Sequence, residues 1–133
     1  MKFLLDTDTF SAIASRRHPG AVERLRALPS GAAGICWITL GEVAFGVHRS
    51  KPAQRTMSGI EALRQSLFKL ALDGSVVQQY ARLRAALEAK GRPIGPNDSW
   101  IAAHALAYDL TLVTGNEREF RRVPELQVEN WLL

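Results

Sequence analysis

Short, predominantly apolar runs alternate with stretches of helical periodicity along the whole of this 133-residue chain. That alternation restricts the fold more than any other feature. Lys2–Leu5, Gly34–Ile38, Phe68–Leu72 and Leu110–Thr114 read as strands, and Val128–Trp131 as a short last one, parallel or at the edge. Between them lies a helix over about Thr9–Arg16, broken by Pro19-Gly20, and then a stripe at Ala21, Val22, Leu25 and Leu28. Further helices run from Thr39 to about His48, through Met57, Ile60, Leu63 and Leu67, and through Val76, Val77, Tyr80, Leu83 and Leu87 to Lys90, where Gly91 is a stop. Asn97 is expected to cap the helix that carries Trp100, Ile101, His104, Ala105 and Tyr108. Strands without polar alternation are buried on both faces, and short strands joined by helices of this length form parallel sheets. The expectation is therefore an α/β fold: one domain over residues 1–133, with a mostly parallel central sheet of four to five strands flanked by helices.

Four acidic residues fall at or just beyond the predicted strand ends: Asp6, Glu42, Asp98 and Glu119. Open α/β sheets place their sites along the C-terminal edge of the strands, so such a fold brings these acids towards one another. Crowded carboxylates repel and raise each other's pKa unless a cation sits among them. All-oxygen donors suit a hard divalent ion, Mg²⁺ or Mn²⁺, which points to metal-assisted phosphoryl chemistry. Each acid also has a plainer role open to it. Asp6 can cap the next helix, although Thr7, Asp8 and Thr9 are capable caps nearer to it. Thr39-Leu40-Gly41-Glu42 fits a capping box, a role compatible with facing the sheet edge. Asp98 suits the first turn of its helix through the macrodipole. Beyond Thr114, any of Asn116, Glu117 and Glu119 can approach the site, or form a solvated run.

Other chemistries find little support. The three histidines, His18, His48 and His104, have no paired ligand spacing, and His104 reads as a packed residue. There is no Cys or His cluster for zinc, no glycine-rich phosphate loop and no nucleophile with an evident base. The single cysteine, Cys36, lies in an apolar run and reads as a small core residue. One cysteine makes no internal disulfide, which suits a reducing cytoplasm. Apolar runs fall far short of the ~20 residues a membrane helix needs, and Phe3-Leu4-Leu5 is too short for a signal peptide. With 17 Lys and Arg against 13 Asp and Glu, the net charge of +4 favours a polyanionic partner. The basic residues cluster at Arg16-Arg17, around His48–Lys51, at Lys90–Arg92 and at Arg118, Arg121 and Arg122.

The acids in their settings resemble the PIN-domain ribonucleases, specifically the VapC-like toxins of type II toxin–antitoxin systems. The resemblance is carried by Leu4-Leu5-Asp6-Thr7-Asp8, by Ile38-Thr39-Leu40-Gly41-Glu42-Val43 and by Gly91-Arg92-Pro93-Ile94-Gly95-Pro96-Asn97-Asp98-Ser99-Trp100. The ending Leu112-Val113-Thr114, Glu119-Phe120-Arg121-Arg122 and Val128-Glu129-Asn130-Trp131 completes it. It implies that Asp6, Glu42 and Asp98 are metal-binding acids and that Glu119 is the fourth, with Thr114 and Asn116 supporting. Many members carry Asp where this chain has Asn116, and Asn where it has Asp8. The family implies Mg²⁺- or Mn²⁺-dependent cleavage of single-stranded loops of tRNA or rRNA, inhibiting translation. Arg16, Arg17, Arg121 and Arg122 would hold flanking phosphates. It also implies a homodimer neutralised by a VapB-like antitoxin, with DNA contacted only through that partner. Two other readings are open. One is an inert PIN scaffold that binds RNA or protein. The other is a haloacid-dehalogenase-type phosphatase, with Asp6 of Asp6-Thr7-Asp8-Thr9 as nucleophile.

Overall fold

In the computed structural model, which describes residues 1–133, the chain runs β1 (Phe3–Leu5), α1 (Thr7–Ala14), α2 (Pro19–Arg26), β2 (Ala33–Cys36), α3 (Trp37–Ser50), α4 (Gln54–Ser66), β3 (Phe68–Leu70), α5 (Gly74–Ala89), α6 (Pro96–Ala107), β4 (Thr111–Val113), α7 (Glu117–Phe120) and β5 (Val128–Glu129). The five strands form one sheet in the order β3-β2-β1-β4-β5, and every pairing is parallel. The expected α/β architecture is present, with β5 parallel at the edge.

Consecutive strand residues point to opposite faces, so the inner strands β1, β2 and β4 feed two cores. Phe3, Leu5, Ile35 and Val113 pack with Phe10 and Ile13 of α1, Leu40 and Val43 of α3 and Leu63 of α4. Leu4, Cys36, Leu70 and Leu112 face the other way, onto Val76, Leu83 and Leu87 of α5, Ile101 and Ala102 of α6 and Phe120 of α7. Leu4, Leu5, Ile35 and Leu112 are wholly buried, each contributing roughly 1.5–3 kcal/mol. Trp131 closes the first core by meeting the Phe3 ring edge-on at 5.3 Å. No helix is long and apolar enough to cross a membrane.

Several boundaries differ from the sequence expectation. Trp37 and Ile38 begin α3 instead of extending β2, because a strand continued to Ile38 would have no partner beyond the Cys36–Leu70 pair. β3 stops at Leu70 because Asp73 is recruited as the α5 cap, accepting from the Ser75 and Val76 amides. Gly91 ends α5 as expected, at φ +66. Its amide donates to Glu88 and that of Arg92 to Leu87, the paired bonds of a Schellman turn. Arg16 closes α1 in the same way at φ +59, with Arg16 donating to Ile13 and Arg17 to Ala12. α7 was not foreseen: four residues are too few for a periodic stripe.

Candidate active site

After β1 the chain fills β2 and β3 on one side, then returns to place β4 on the other. β1 and β4 therefore flank the point where strand order reverses, the usual ligand crevice of an open α/β sheet. Asp6 is the first residue beyond β1. Its amide donates to Val113 at 3.0 Å, and its carboxylate accepts from the Thr9 amide at 2.9 Å and from the Thr114 hydroxyl. Asp6 is thus itself the α1 cap. The idea that Thr7, Asp8 or Thr9 would cap instead fails because α1 starts at Thr7. Asp6 is 5% exposed. Burial raises its pKa, the Thr114 and Thr9 hydrogen bonds oppose that rise, and the charge of Asp8 adds to it.

Glu42 reaches the same crevice from the second turn of α3. The capping box does not form, since Cys36 occupies the cap position without a side-chain bond and Thr39 is buried beside the Cys36 thiol at 3.7 Å. The Glu42 carboxylate accepts from the Thr7 hydroxyl and from Asn97 Nδ2 at 3.3 Å. Asn97 is accordingly not the cap of α6. Gly95 takes that position ahead of Pro96, whose fixed φ and missing N–H suit a helix start.

Asp98 sits in the first turn of α6. Its pKa is raised from 3.8 to about 7, first by burial, then by hydrogen bonding and repulsion from Glu119, then by the charges of Glu42 and Asp6. A helix N-terminus favours the ionised acid, so the upward shift means burial and like-charge crowding outweigh the dipole. Glu119, on α7, accepts from the Gly95 amide at 3.1 Å and from the Asn116 side-chain amide. Asn116 in turn donates its backbone N–H to the Thr114 hydroxyl at 2.9 Å. Thr114 and Asn116 therefore link Asp6 to Glu119. Glu117 turns away, bonded to Arg121 at 2.8 Å and Asn130 at 3.1 Å, and Arg121 lowers its pKa.

Four carboxylates from four separate elements thus share one electrostatic neighbourhood. Asp6 is fixed by its hydrogen bonds, while Glu42, Asp98 and Glu119 are half-buried. No three acidic, imidazole or thiol groups stand at metal-ligand spacing. The donors on offer are oxygens alone, the chemistry of a hard cation rather than of zinc. The sequence missed the second tier of polar groups: Thr7, Thr9 and Asn97. Their only signal is nearness to the acids.

The four arginines expected on RNA divide into two pairs. Arg121 is held by Glu117, and Arg122 donates to the Pro93 carbonyl at 2.9 Å, tying α7 to the loop before α6. Arg16 and Arg17 are exposed at the end of α1. His104 is buried and bonded through Nδ1 to the Trp100 carbonyl at 2.7 Å, away from the acids. Cys36 is wholly buried, which raises its thiol pKa.

A crevice of acids at the turning point of a parallel sheet has chemistry suited to phosphoryl transfer. Comparison with known proteins narrows the class. Residues 3–126 match the PIN domain family. The chain is 34% identical over 131 residues to the tRNA(fMet)-specific endonuclease VapC of Shigella flexneri, and 36% identical over 133 residues to ribonuclease VapC2 of Rickettsia felis. Each alignment covers 98% of both proteins. Among solved structures, VapBC2 from Rickettsia felis bound to a promoter DNA fragment superposes with a TM-score of 0.90 at 33% identity, covering 98% of this chain and 99% of that one. The chain belongs to the PIN-domain family, and within it to the VapC ribonucleases. The phosphatase resemblance of Asp6-Thr7-Asp8 is thereby set aside: Asp6 caps α1 and Asp8 is exposed on the first turn.

Proposed function

We propose that this protein is a divalent-metal-dependent endoribonuclease, the toxin of a VapBC-type pair, which hydrolyses single-stranded loops of tRNA or rRNA and so inhibits translation. The observation that carries the proposal is the convergence of Asp6, Glu42, Asp98 and Glu119, where burial first and then like-charge crowding raise Asp98 to about 7. Their oxygen-only chemistry fits Mg²⁺ or Mn²⁺. When bound, such an ion supplies Lewis-acid stabilisation of phosphoryl oxygens and lowers the pKa of water.

The chain's own residues do the positioning. Thr114 and the Thr9 amide align Asp6 and oppose the burial that raises its pKa. Thr7 and Asn97 hold Glu42, and Asn116 and the Gly95 amide hold Glu119. Each carboxylate keeps lone pairs free for a cation. Asp98 carries a proton for much of the time near pH 7, so cation binding releases one. Single-stranded loops suit the site because a flexible backbone reaches in-line geometry easily.

The relatives solved as VapBC complexes support a VapB-like antitoxin as partner here, with an antitoxin guanidinium able to take the cation's place among the acids. A homodimer, cytoplasmic action and contact with DNA only through the antitoxin belong to the same reading. The test is inducible expression of wild type and Asp98→Asn in bacteria, with total RNA read for new ends. Growth arrest with discrete new ends in the wild type alone is the expected result. Identical RNA profiles from two soluble proteins would favour a non-cleaving scaffold instead.

A further inference from the structure

We propose that the trough between α1, α3 and α4 is a track for the backbone phosphates of single-stranded RNA, with Arg17 and Arg49 as the residues that hold the strand. This rests on the ribonuclease reading and adds to it the route the substrate takes away from the acids. The trough has a volume of about 360 Å³, within the size range of small-ligand clefts. Thr7 and Glu42 line its inner part, so it opens directly from the acidic crevice, and Arg17 and Arg49 also line it. Thr7, Ser11 and Ser15 follow one another at helical spacing along its α1 side, offering neutral hydroxyls instead of charge.

No carboxylate neutralises either arginine. Arg24, Arg26, Arg64, Arg84 and Arg121 each form an ion pair, whereas Arg17 and Arg49 form none. Both are nonetheless steadied. Arg17 donates Nε to the Ser15 hydroxyl at 2.9 Å, which leaves its terminal N–H groups free. Arg49 lies over the Phe45 ring, 5.4 Å from the centroid, and a stacked guanidinium keeps its in-plane donors free for phosphate. The turn at Arg16, which ends α1 in a left-handed conformation, fixes where Arg17 leaves the helix. A second hollow of about 390 Å³ shares Ser15 and Thr56 with the trough and is lined by Arg16 and Arg55. Neither of those arginines is in an ion pair either, so positive potential continues outward. An acidic inner end for a cation and a basic outer course suit a polyanion whose scissile phosphate sits at one end.

The test uses the full chain carrying Asp98→Asn, which keeps every trough residue while blocking cleavage. Binding of a fluorescent single-stranded RNA of about 12 nucleotides is measured across a salt series in chelator. Adding Arg17→Gln or Arg49→Gln is expected to weaken binding severalfold and to flatten the slope of log K against log salt by about 0.7 for each phosphate lost. Arg24→Gln, which removes an arginine already paired with Glu129, is expected to leave the slope unchanged. In the cleaving protein, Arg17→Gln and Arg49→Gln are expected to raise KM for a long single-stranded substrate while kcat stays within about twofold. A parent that binds RNA with a slope untouched by either arginine overturns the track and leaves the ribonuclease reading standing. That is also the result if the trough is built for a protein segment. A parent with no salt-dependent RNA binding at all also overturns the track, while cleavage by the wild-type chain decides the ribonuclease reading separately.

Discussion

Replacing Asp98 with asparagine should abolish cleavage and yet stabilise the metal-free protein at alkaline pH. The Asp98 carboxyl is raised from 3.8 to about 7 by burial and by Glu119, Glu42 and Asp6. Between those values the folded chain holds a proton that the unfolded chain releases, so stability falls as pH rises through the window and the loss is complete above about 7. At about 1.4 kcal/mol for each pH unit between the two values, the loss would be ~4 kcal/mol. Asp98 is half-exposed, and solvent screening reduces this to ~2 kcal/mol. Asparagine is neutral at every pH and can still donate to Glu119, so it removes the repulsion without stranding a partner. For a chain of this length ~2 kcal/mol corresponds to roughly 6–10 °C in Tm. The assay is thermal unfolding followed by circular dichroism at pH 4.5 and pH 8, in chelator and then with excess Mg²⁺. In chelator at pH 8, Asp98→Asn should melt well above wild type, and at pH 4.5 the two should nearly coincide. Excess Mg²⁺ should raise the wild type selectively. An Asp98→Asn protein that melts at or below wild type in chelator at pH 8 would refute the reasoning.

Other consequences concern single positions. Glu119→Gln should reduce cleavage by at least about tenfold, the scale of a lost site contact, whereas Glu117→Gln should leave it nearly unchanged because Arg121 and Asn130 hold Glu117 elsewhere; cleavage of a labelled RNA separates the two. Gly59→Ala should cost roughly 1–3 kcal/mol beyond the ~1 kcal/mol gained in helix propensity. A Cβ there would lie 2.1 Å from the Ala14 carbonyl oxygen, backbone that cannot rotate away, and a denaturant melt equal to wild type would count against that contact. Cys36 is wholly buried with a raised thiol pKa, so a thiol reagent should label it only as fast as the protein unfolds.

The centre of the sheet was legible because β1, β2 and β4 are buried on both faces, whereas the edge strands β3 and β5 are partly exposed and carry Lys69 and Glu129. Topology placed Asp6, which lies just past β1; Asp98 follows a helix instead of a strand and joins the others through the position of the α6 N-terminus. What was not legible is local competition between neighbours. Trp37 and Ile38 are as apolar as the strand before them, and only the end of the β2–β3 pairing turns them into helix. Asn97 is a better capping residue by type than Gly95, but Pro96 fixes the helix start, which frees Asn97 to bond Glu42. The Gly95-Pro96 pair carried that signal in the sequence. Arg121 and Arg122 read as a basic patch, yet one is held by a neighbouring acid and the other by a carbonyl from a distant loop. Arg49 lines the same trough as Arg17 only because α1 and α3 pack together, a pairing that no local pattern encodes.

The most direct measurement is Mn²⁺ binding to the purified chain, followed by electron paramagnetic resonance alongside cleavage of a labelled RNA. Wild type should take up Mn²⁺ and cut, while Asp6→Asn, Glu42→Gln and Asp98→Asn should remain folded, lose most of the bound ion and fail to cut. Wild-type uptake and cutting by any two of the three would contradict a metal site built from these acids.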